Sequence, residues 1–190
     1  MVNYPIKRKV HTKTTNYANL GMTLESDIEQ TNEYYLEHQI AVIYKKPTPI
    51  QVVSVSYPAR NKAKITEAYY KTPSTTDFNG IYKGKYIDFD AKETNSKTSM
   101  PLKNVHPHQI EHLRNISKHQ GIAFLIVQFK QYNEYYLLPF DILISFWDSQ
   151  YENTGRKSIP YDTFKKQAYL IPFGYQPRLD YLKIVDQYFL

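Results

Sequence analysis

The chain has 190 residues, enough for one domain with a hydrophobic core. Its formal net charge is +6 and its pI is about 9.2, which favours a polyanionic partner, either nucleic acid or an anionic membrane surface. No apolar run reaches the ~20 residues of a membrane span, and the N-terminal charges precede no hydrophobic segment, so we expect neither a membrane helix nor a signal peptide. The absence of cysteine excludes disulfides and thiolate metal sites and fits a reducing, cytoplasmic location.

The N-terminal part of the chain divides into an arm and the start of a domain. Residues 1–21 are basic and aperiodic, which predicts a flexible arm that either follows DNA phosphates or has no role. Residues 22–190 form the predicted single domain. It begins with a helix over Thr23–Glu37, with Thr23 as N-cap, followed by a buried strand over Ile40–Tyr44.

A first β-hairpin, over about residues 51–72, is predicted from two alternating segments. Val53, Val55 and Tyr57 lie on one face of the first strand, and the return strand is Lys64–Lys71. The predicted tip is positively charged, with no acid before Glu67, and its basic residues are Arg60, Lys62 and Lys64. Such a tip is usually just solvated, but the basic chain favours a nucleic-acid contact.

A second hairpin follows, with strands Phe78–Tyr82 and Lys85–Thr94 around the two-residue turn Lys83-Gly84. Gly84 supplies the positive φ that a tight turn needs.

The remaining elements alternate between helices and strands. A helix is predicted from near Pro107 to about His119, where Gly121 serves as its C-terminal cap. The apolar strand Ile122–Phe129 is predicted to be central and to pair with Tyr135–Leu138. Three further helices are predicted near Asp141–Ser149, Tyr161–Gln167 and Leu179–Phe189. This order predicts one mixed α/β domain.

The strand Lys85–Thr94 carries the residues that point to chemistry. Because side chains alternate along a strand, Asp88, Asp90 and Lys92 share one face. Pairing around the tight turn sets Asp77 opposite Asp90, close enough to share a divalent cation. Charged groups on a buried strand are costly unless they are paired or bind a metal.

Two carboxylates and a lysine suit the hydrolysis of a phosphodiester. Mg²⁺ held by oxygen ligands activates water and relieves phosphate charge, and a lysine such as Lys92 stabilises the developing charge. By itself this spacing is weak evidence for a nuclease, since a surface salt bridge also explains it.

Beyond this pattern, the chain resembles the RecU family of Holliday-junction resolvases over nearly its whole length after the arm. The motifs that carry the resemblance are residues 21–25 (GMTLE), 40–49 (IAVIYKKPTP), 67–69 (EAY), 74–84 (STTDFNGIYKG), 86–89 (YIDF), 91–94 (AKET), 108–112 (HQIEH) and 176–181 (QPRLDY).

The resemblance implies a restriction-endonuclease-like fold, in which a mixed central β-sheet is flanked by helices and a β-hairpin stalk protrudes. It implies a homodimer that makes paired nicks in four-way DNA junctions with Mg²⁺, for which Mn²⁺ may substitute, and a recombinase is a further candidate partner. The family's metal ligands fall on Thr75, Asp77, Asp90 and Gln109, and its catalytic lysine falls on Lys92.

The same resemblance implies DNA contacts. The family's stalk, which enters the open centre of the junction, matches the hairpin around Arg60. We expect DNA to contact Arg60, Lys62 and Lys64, together with Lys46 in the basic connector after the first strand.

The chain departs from the family at two positions. Asp90 stands where the family usually has Glu, which withdraws the carboxylate by about 1.5 Å. Leu20 stands where the family usually has Arg, which removes one cation near the DNA.

Three alternatives stay open. The first is a junction-binding protein that no longer cuts, and the second is a nuclease of the same fold that acts on duplex DNA. The third is a zinc peptidase, because His108 and His112, with Glu111 between them, match an inverted zinc-peptidase motif, although no third ligand is evident.

Overall fold

The computed structural model describes residues 23–59, 62–71 and 75–190. The helices are α1 (Leu24–Glu37), α2 (Pro107–Lys118), α3 (Phe140–Ser149), α4 (Tyr161–Gln167) and α5 (Leu182–Tyr188). The strands are β1 (Val42–Lys45), β2 (Ile50–Ser56), β3 (Lys64–Tyr70), β4 (Phe78–Tyr82), β5 (Lys85–Thr94), β6 (Ser99–Pro101), β7 (Ile122–Phe129), β8 (Glu134–Pro139), β9 (Ser158–Pro160) and β10 (Tyr169–Ile171). None of the described helices combines the length and apolar character needed to cross a membrane.

A mixed six-stranded sheet organises the fold, in the order β1-β4-β5-β7-β8-β10. The central strands β5 and β7 run parallel, with α2 in the crossover between them, and the other neighbours are antiparallel. Helices α1 and α5 cover one face, and α2, α3 and α4 cover the other, with a hydrophobic core on each side. This architecture confirms the predicted mixed α/β class, in which helices flank a mixed central sheet, and β7 lies in the interior of that sheet.

Helix α1 begins where the sequence predicts. The Thr23 side chain accepts a hydrogen bond from a first-turn N–H at 3.2 Å, as an N-cap does. The backbone N–H of Leu24 donates to Glu93 Oε1 at 2.8 Å, which joins the helix to β5. Leu24, Ile28 and Tyr35 form the buried stripe that the periodicity predicts.

The hairpin of β4 and β5 has the predicted register. Its ladder runs from Tyr82 opposite Lys85 to Phe78 opposite Phe89. Both turn residues have positive φ, 46° at Lys83 and 74° at Gly84, as a two-residue hairpin turn requires.

Strands β2 and β3 form a separate two-stranded sheet, which confirms the predicted first hairpin. Nearly all their residues are exposed, including Tyr69 and Tyr70. The register shifts on either side of Ser54 and leaves Val53 without a cross-strand partner, so the predicted regular alternation of β2 is wrong. Arg60 lies outside the described residues.

Other predicted boundaries move for local reasons. At the end of α2 the left-handed residue is Gln120, with φ 64°, rather than Gly121. Gly121 serves close packing instead, because a Cβ there would lie 2.6 Å from the Ile116 side chain. Helix α5 begins at Leu182, since Leu179 is held in an isolated β-bridge. The three-residue strands β6, β9 and β10 were not predicted.

Candidate active site

The candidate site is centred on Asp90, in the middle of the interior strand β5. Asp88, Asp90 and Lys92 pair in register with Ala123, Leu125 and Val127 of β7, whose side chains face α2. The shared face predicted for the three charged residues is therefore confirmed.

Asp90 is fully buried and has two close neighbours. Its Oδ1 atom lies 2.6 Å from Lys92 Nζ, and its Oδ2 atom accepts a hydrogen bond from the side-chain amide of Gln109. Burial raises the pKa of Asp90 to about 6, the Lys92 ammonium opposes this rise, and the charge of Asp77 adds to it. A buried carboxylate whose pKa is raised by burial, and which faces both an ammonium and a second carboxylate, is a candidate for a catalytic group.

Asp77 directly precedes β4. Continuing the ladder by one residue beyond Phe78 and Phe89 sets Asp77 beside Asp90. Asp77 is half-buried, and its carboxylate makes no hydrogen bond or ion pair with another described residue. Its oxygens are therefore available to a ligand.

Gln109 and Thr75, the other expected metal ligands, are differently engaged. Gln109 Oε1 accepts the His106 backbone N–H at 3.0 Å while its nitrogen faces Asp90. To bind a cation, Gln109 would use the remaining acceptor capacity of this oxygen or turn its amide. Thr75 Oγ1 donates to the Thr76 carbonyl at 3.3 Å. Ligation by Gln109 and Thr75 stays a prediction.

The donor set suits a hard cation. The Asp90 Oδ1 atom is buried and makes no hydrogen bond of good geometry, and Asp77 is free to contribute its carboxylate. Mg²⁺ is commonly bound through one or two carboxylates while it keeps several waters. The described chain has no cluster of three or more His, Asp or Glu, so the oxygens of Asp77 and Asp90 are the acidic donors at hand.

The zinc-peptidase alternative gains no support. His112 Nε2 lies 3.0 Å from Asp88 Oδ2, whereas His108 stacks on the ring of His106. Burial and the neighbouring His106 lower the pKa of His108. Over residues 23–59, 62–71 and 75–190, no third His, Asp or Glu completes a metal site with these histidines.

Lys46 is the predicted DNA contact whose surroundings differ most from expectation. Its side chain is only 18% exposed, and its ammonium lies 2.8 Å from the fully buried Asp88. Lys62 and Lys64, in contrast, are exposed at the end of the hairpin of β2 and β3. Arg60 and Leu20 lie outside the described residues.

Asp88 is the charged residue on this face for which the sequence predicted no specific role. The signal was present, since a second carboxylate on a buried strand requires compensation. Tyr86 is two residues away, but the other partners of Asp88 lie 12 to 42 residues away in the sequence, so no local pattern connects them.

Comparison with known proteins agrees with the resemblance. The family described as "RecU: Recombination protein U" matches residues 19–187. Relatives named Holliday junction resolvase RecU, from Staphylococcus aureus strains JH9 and COL, are each 55% identical over 174 residues, which cover 92% of this chain and 83% of the relative. The solved structure of Hjc, a Holliday junction resolvase from Archaeoglobus fulgidus, is 7% identical with a TM-score of 0.40, and the match covers 73% of this chain and 90% of Hjc. Because a family that matches residues 19–187 spans most of the 190 residues, the chain belongs to the RecU family.

Proposed function

We propose that this chain is a Holliday junction resolvase, a metal-dependent endonuclease that makes paired nicks in four-way DNA junctions during recombination and repair. The observation that carries the proposal is the juxtaposition of a buried Asp90, its Lys92 neighbour at 2.6 Å and Asp77 across the hairpin, in a member of the RecU family.

In the proposed mechanism Asp77 and Asp90 would hold Mg²⁺ or Mn²⁺, with Gln109 and Thr75 as further oxygen donors. A cation held there would supply charge relief at the scissile phosphate and activation of the attacking water. The ammonium of Lys92 lies at Asp90, where it stabilises charge that develops on the phosphate. Asp90 is fully buried, and the lower effective dielectric constant of a buried site strengthens these interactions.

The proposed substrate follows from charge and shape. A net charge of +6 favours DNA, and the exposed Lys62 and Lys64 place positive charge on the hairpin of β2 and β3. A protruding hairpin suits the open centre of a junction better than a continuous duplex. Paired nicks on opposed strands require two active sites, so the proposed working form is a cytoplasmic homodimer, with a recombinase as a further partner.

One rival function has specific support. The Asp90 carboxylate is set back by about 1.5 Å relative to the usual Glu, which would suit a junction-binding protein without cleavage. The other rival, a nuclease acting on linear duplex, would need the same buried pair of Asp90 and Lys92, but the exposed hairpin speaks against it because such an enzyme would make no use of it.

The test is cleavage of a labelled four-way junction with Mg²⁺ and with Mn²⁺, beside linear duplex of the same sequence. We expect symmetric nicks in the junction, and we expect Asp77→Ala to abolish them while still binding the junction. Binding without cleavage in both metals would instead identify a junction-binding protein, and equal cutting of both substrates would identify a duplex nuclease.

A further inference from the structure

Asp88 differs from Asp90 although both are fully buried on the same face of β5. Asp88 Oδ1 accepts the Thr76 hydroxyl, and Oδ2 lies 2.8 Å from Lys46 Nζ. The same Oδ2 atom accepts the Tyr86 hydroxyl at 3.0 Å and lies 3.0 Å from His112 Nε2. We call these five residues the Asp88 cluster. Both carboxylate oxygens of Asp88 therefore have hydrogen-bonding partners, whereas Asp90 Oδ1 faces the Lys92 ammonium and makes no hydrogen bond.

The Asp88 cluster joins three segments around the candidate metal ligands. Thr76 lies between Thr75 and Asp77, and its hydroxyl binds both Asp88 and Lys46 Nζ, the latter at 3.0 Å. The backbone N–H of Lys46 donates to the Asp77 carbonyl at 2.7 Å. His112 brings α2, the helix that carries Gln109, to the same carboxylate.

The position of Asp77 therefore depends on its neighbours. Its own carboxylate has no partner among the described residues, and β4 begins only at the next residue, Phe78. Two contacts locate its backbone. One is the hydrogen bond from the Lys46 backbone N–H to its carbonyl, which any residue but proline at position 46 could make, and the other is the anchorage of Thr76 by the side chains of Asp88 and Lys46.

We propose that Lys46 and Asp88 are positioning residues, which hold Asp77 opposite Asp90 for cation binding and touch neither the cation nor the DNA. The inference deepens the proposed function and rests on it. It assigns Lys46 to the inside of the site, in place of the DNA contact predicted from the sequence. Supporting partners of this kind cost about tenfold to 100-fold in metal affinity or activity when they are lost.

The experiment compares Lys46→Met with Lys83→Met, in full-length protein. Lys83 is a matched control because its ammonium lies 2.6 Å from Asp186 in an exposed ion pair at the hairpin turn. Three quantities are measured: Mn²⁺ affinity by electron paramagnetic resonance without DNA, the Mg²⁺ concentration for half-maximal junction cleavage, and the junction Kd in Ca²⁺ as a function of salt.

For Lys46→Met we expect Mn²⁺ affinity to fall and the half-maximal Mg²⁺ concentration to rise, each by about tenfold or more. We expect the junction Kd and its salt slope to match those of Lys83→Met. Unchanged Mn²⁺ affinity and Mg²⁺ dependence would overturn the proposal. A loss of junction affinity, with a salt slope smaller by about 0.9, would identify Lys46 as a phosphate contact.

Two features keep the test decisive. If Lys46→Met does not fold because Asp88 loses its counter-charge, Thr76→Val removes only the hydroxyl and should shift Mn²⁺ affinity in the same direction. Unaltered Mn²⁺ affinity in Thr76→Val would then reject the inference.

If the wild-type chain binds Mn²⁺ but cuts no junction, the proposed function fails while the Mn²⁺ comparison still tests the positioning role. A wild-type chain that binds no Mn²⁺ would reject the positioning role directly.

Discussion

Replacement of Lys92 by methionine removes one charge from the centre of the site while keeping most of the side-chain volume. Lys92 Nζ lies 2.6 Å from Asp90 Oδ1, and the two side chains are 12% and 0% exposed. Removing one partner of a buried ion pair lowers the free energy of unfolding by about 3–5 kcal/mol, because the other charge is left without compensation. The Gln109 amide still donates to Asp90, so we expect the lower end, about 3 kcal/mol of unfolding free energy.

The loss in catalysis should be separable from the loss in stability. Removing one group that stabilises transition-state charge lowers the rate by about 100-fold to 1,000-fold. Junction affinity in Ca²⁺ should change little, since Lys92 is nearly buried. Urea unfolding in EDTA gives the stability, and single-turnover junction cleavage in Mg²⁺ gives the rate.

A double variant provides the matched control. Adding Asp90→Asn to Lys92→Met makes the pair neutral, so the unfolding free energy should recover while cleavage stays lost. The reasoning would be refuted by wild-type cleavage in Lys92→Met, or by a double variant no more stable than the single one.

Three further predictions concern stability and DNA binding. Burial opposes the ionisation of Glu93, but Lys130 and the N-terminus of α1 outweigh it and lower the pKa of this carboxyl. The ionised Glu93 therefore stabilises the folded state above the ordinary value of 4.5, and this stabilisation is lost as the pH falls below it. Glu93→Gln should therefore cost about 1–2 kcal/mol at pH 7 and progressively less towards pH 3 in urea titrations, and a pH-independent difference would contradict this. Phe89→Ala removes a fully buried ring stacked between two others, and it should lower the free energy of unfolding by about 3–5 kcal/mol in the same urea titrations. A loss below about 1 kcal/mol would contradict this packing. Lys62→Ala combined with Lys64→Ala should weaken junction binding and reduce the salt slope by about 1–2, and an unchanged slope would exclude phosphate contacts from both.

Local patterns predicted the acidic and basic residues of the site. The two-residue period of β5 put Asp90 and Lys92 on one face, and the tight turn at Lys83-Gly84 set the register that brings Asp77 across from Asp90. Both rules act over a few residues, so they hold without knowledge of the rest of the chain.

Boundaries were missed where tertiary contacts override local preference. Strand β1 begins at Val42 rather than Ile40, because the Ile40 N–H is taken by the Tyr35 carbonyl at the end of α1. The three-residue strands β6, β9 and β10 are too short to show a period of their own and form only where a partner is present.

The sequence by itself determined the mixed α/β class, the hairpin that carries the site, the shared face of Asp88, Asp90 and Lys92, and the family. Only the tertiary structure decided how each buried carboxylate is compensated. Both oxygens of Asp88 accept or face partners from the residue after β1, the segment before β4 and α2, whereas Asp90 Oδ1 faces only the Lys92 ammonium and makes no hydrogen bond. The cost of burying a charge predicts that compensation must exist, but the identity of the compensating residue depends on which distant segments the fold brings together.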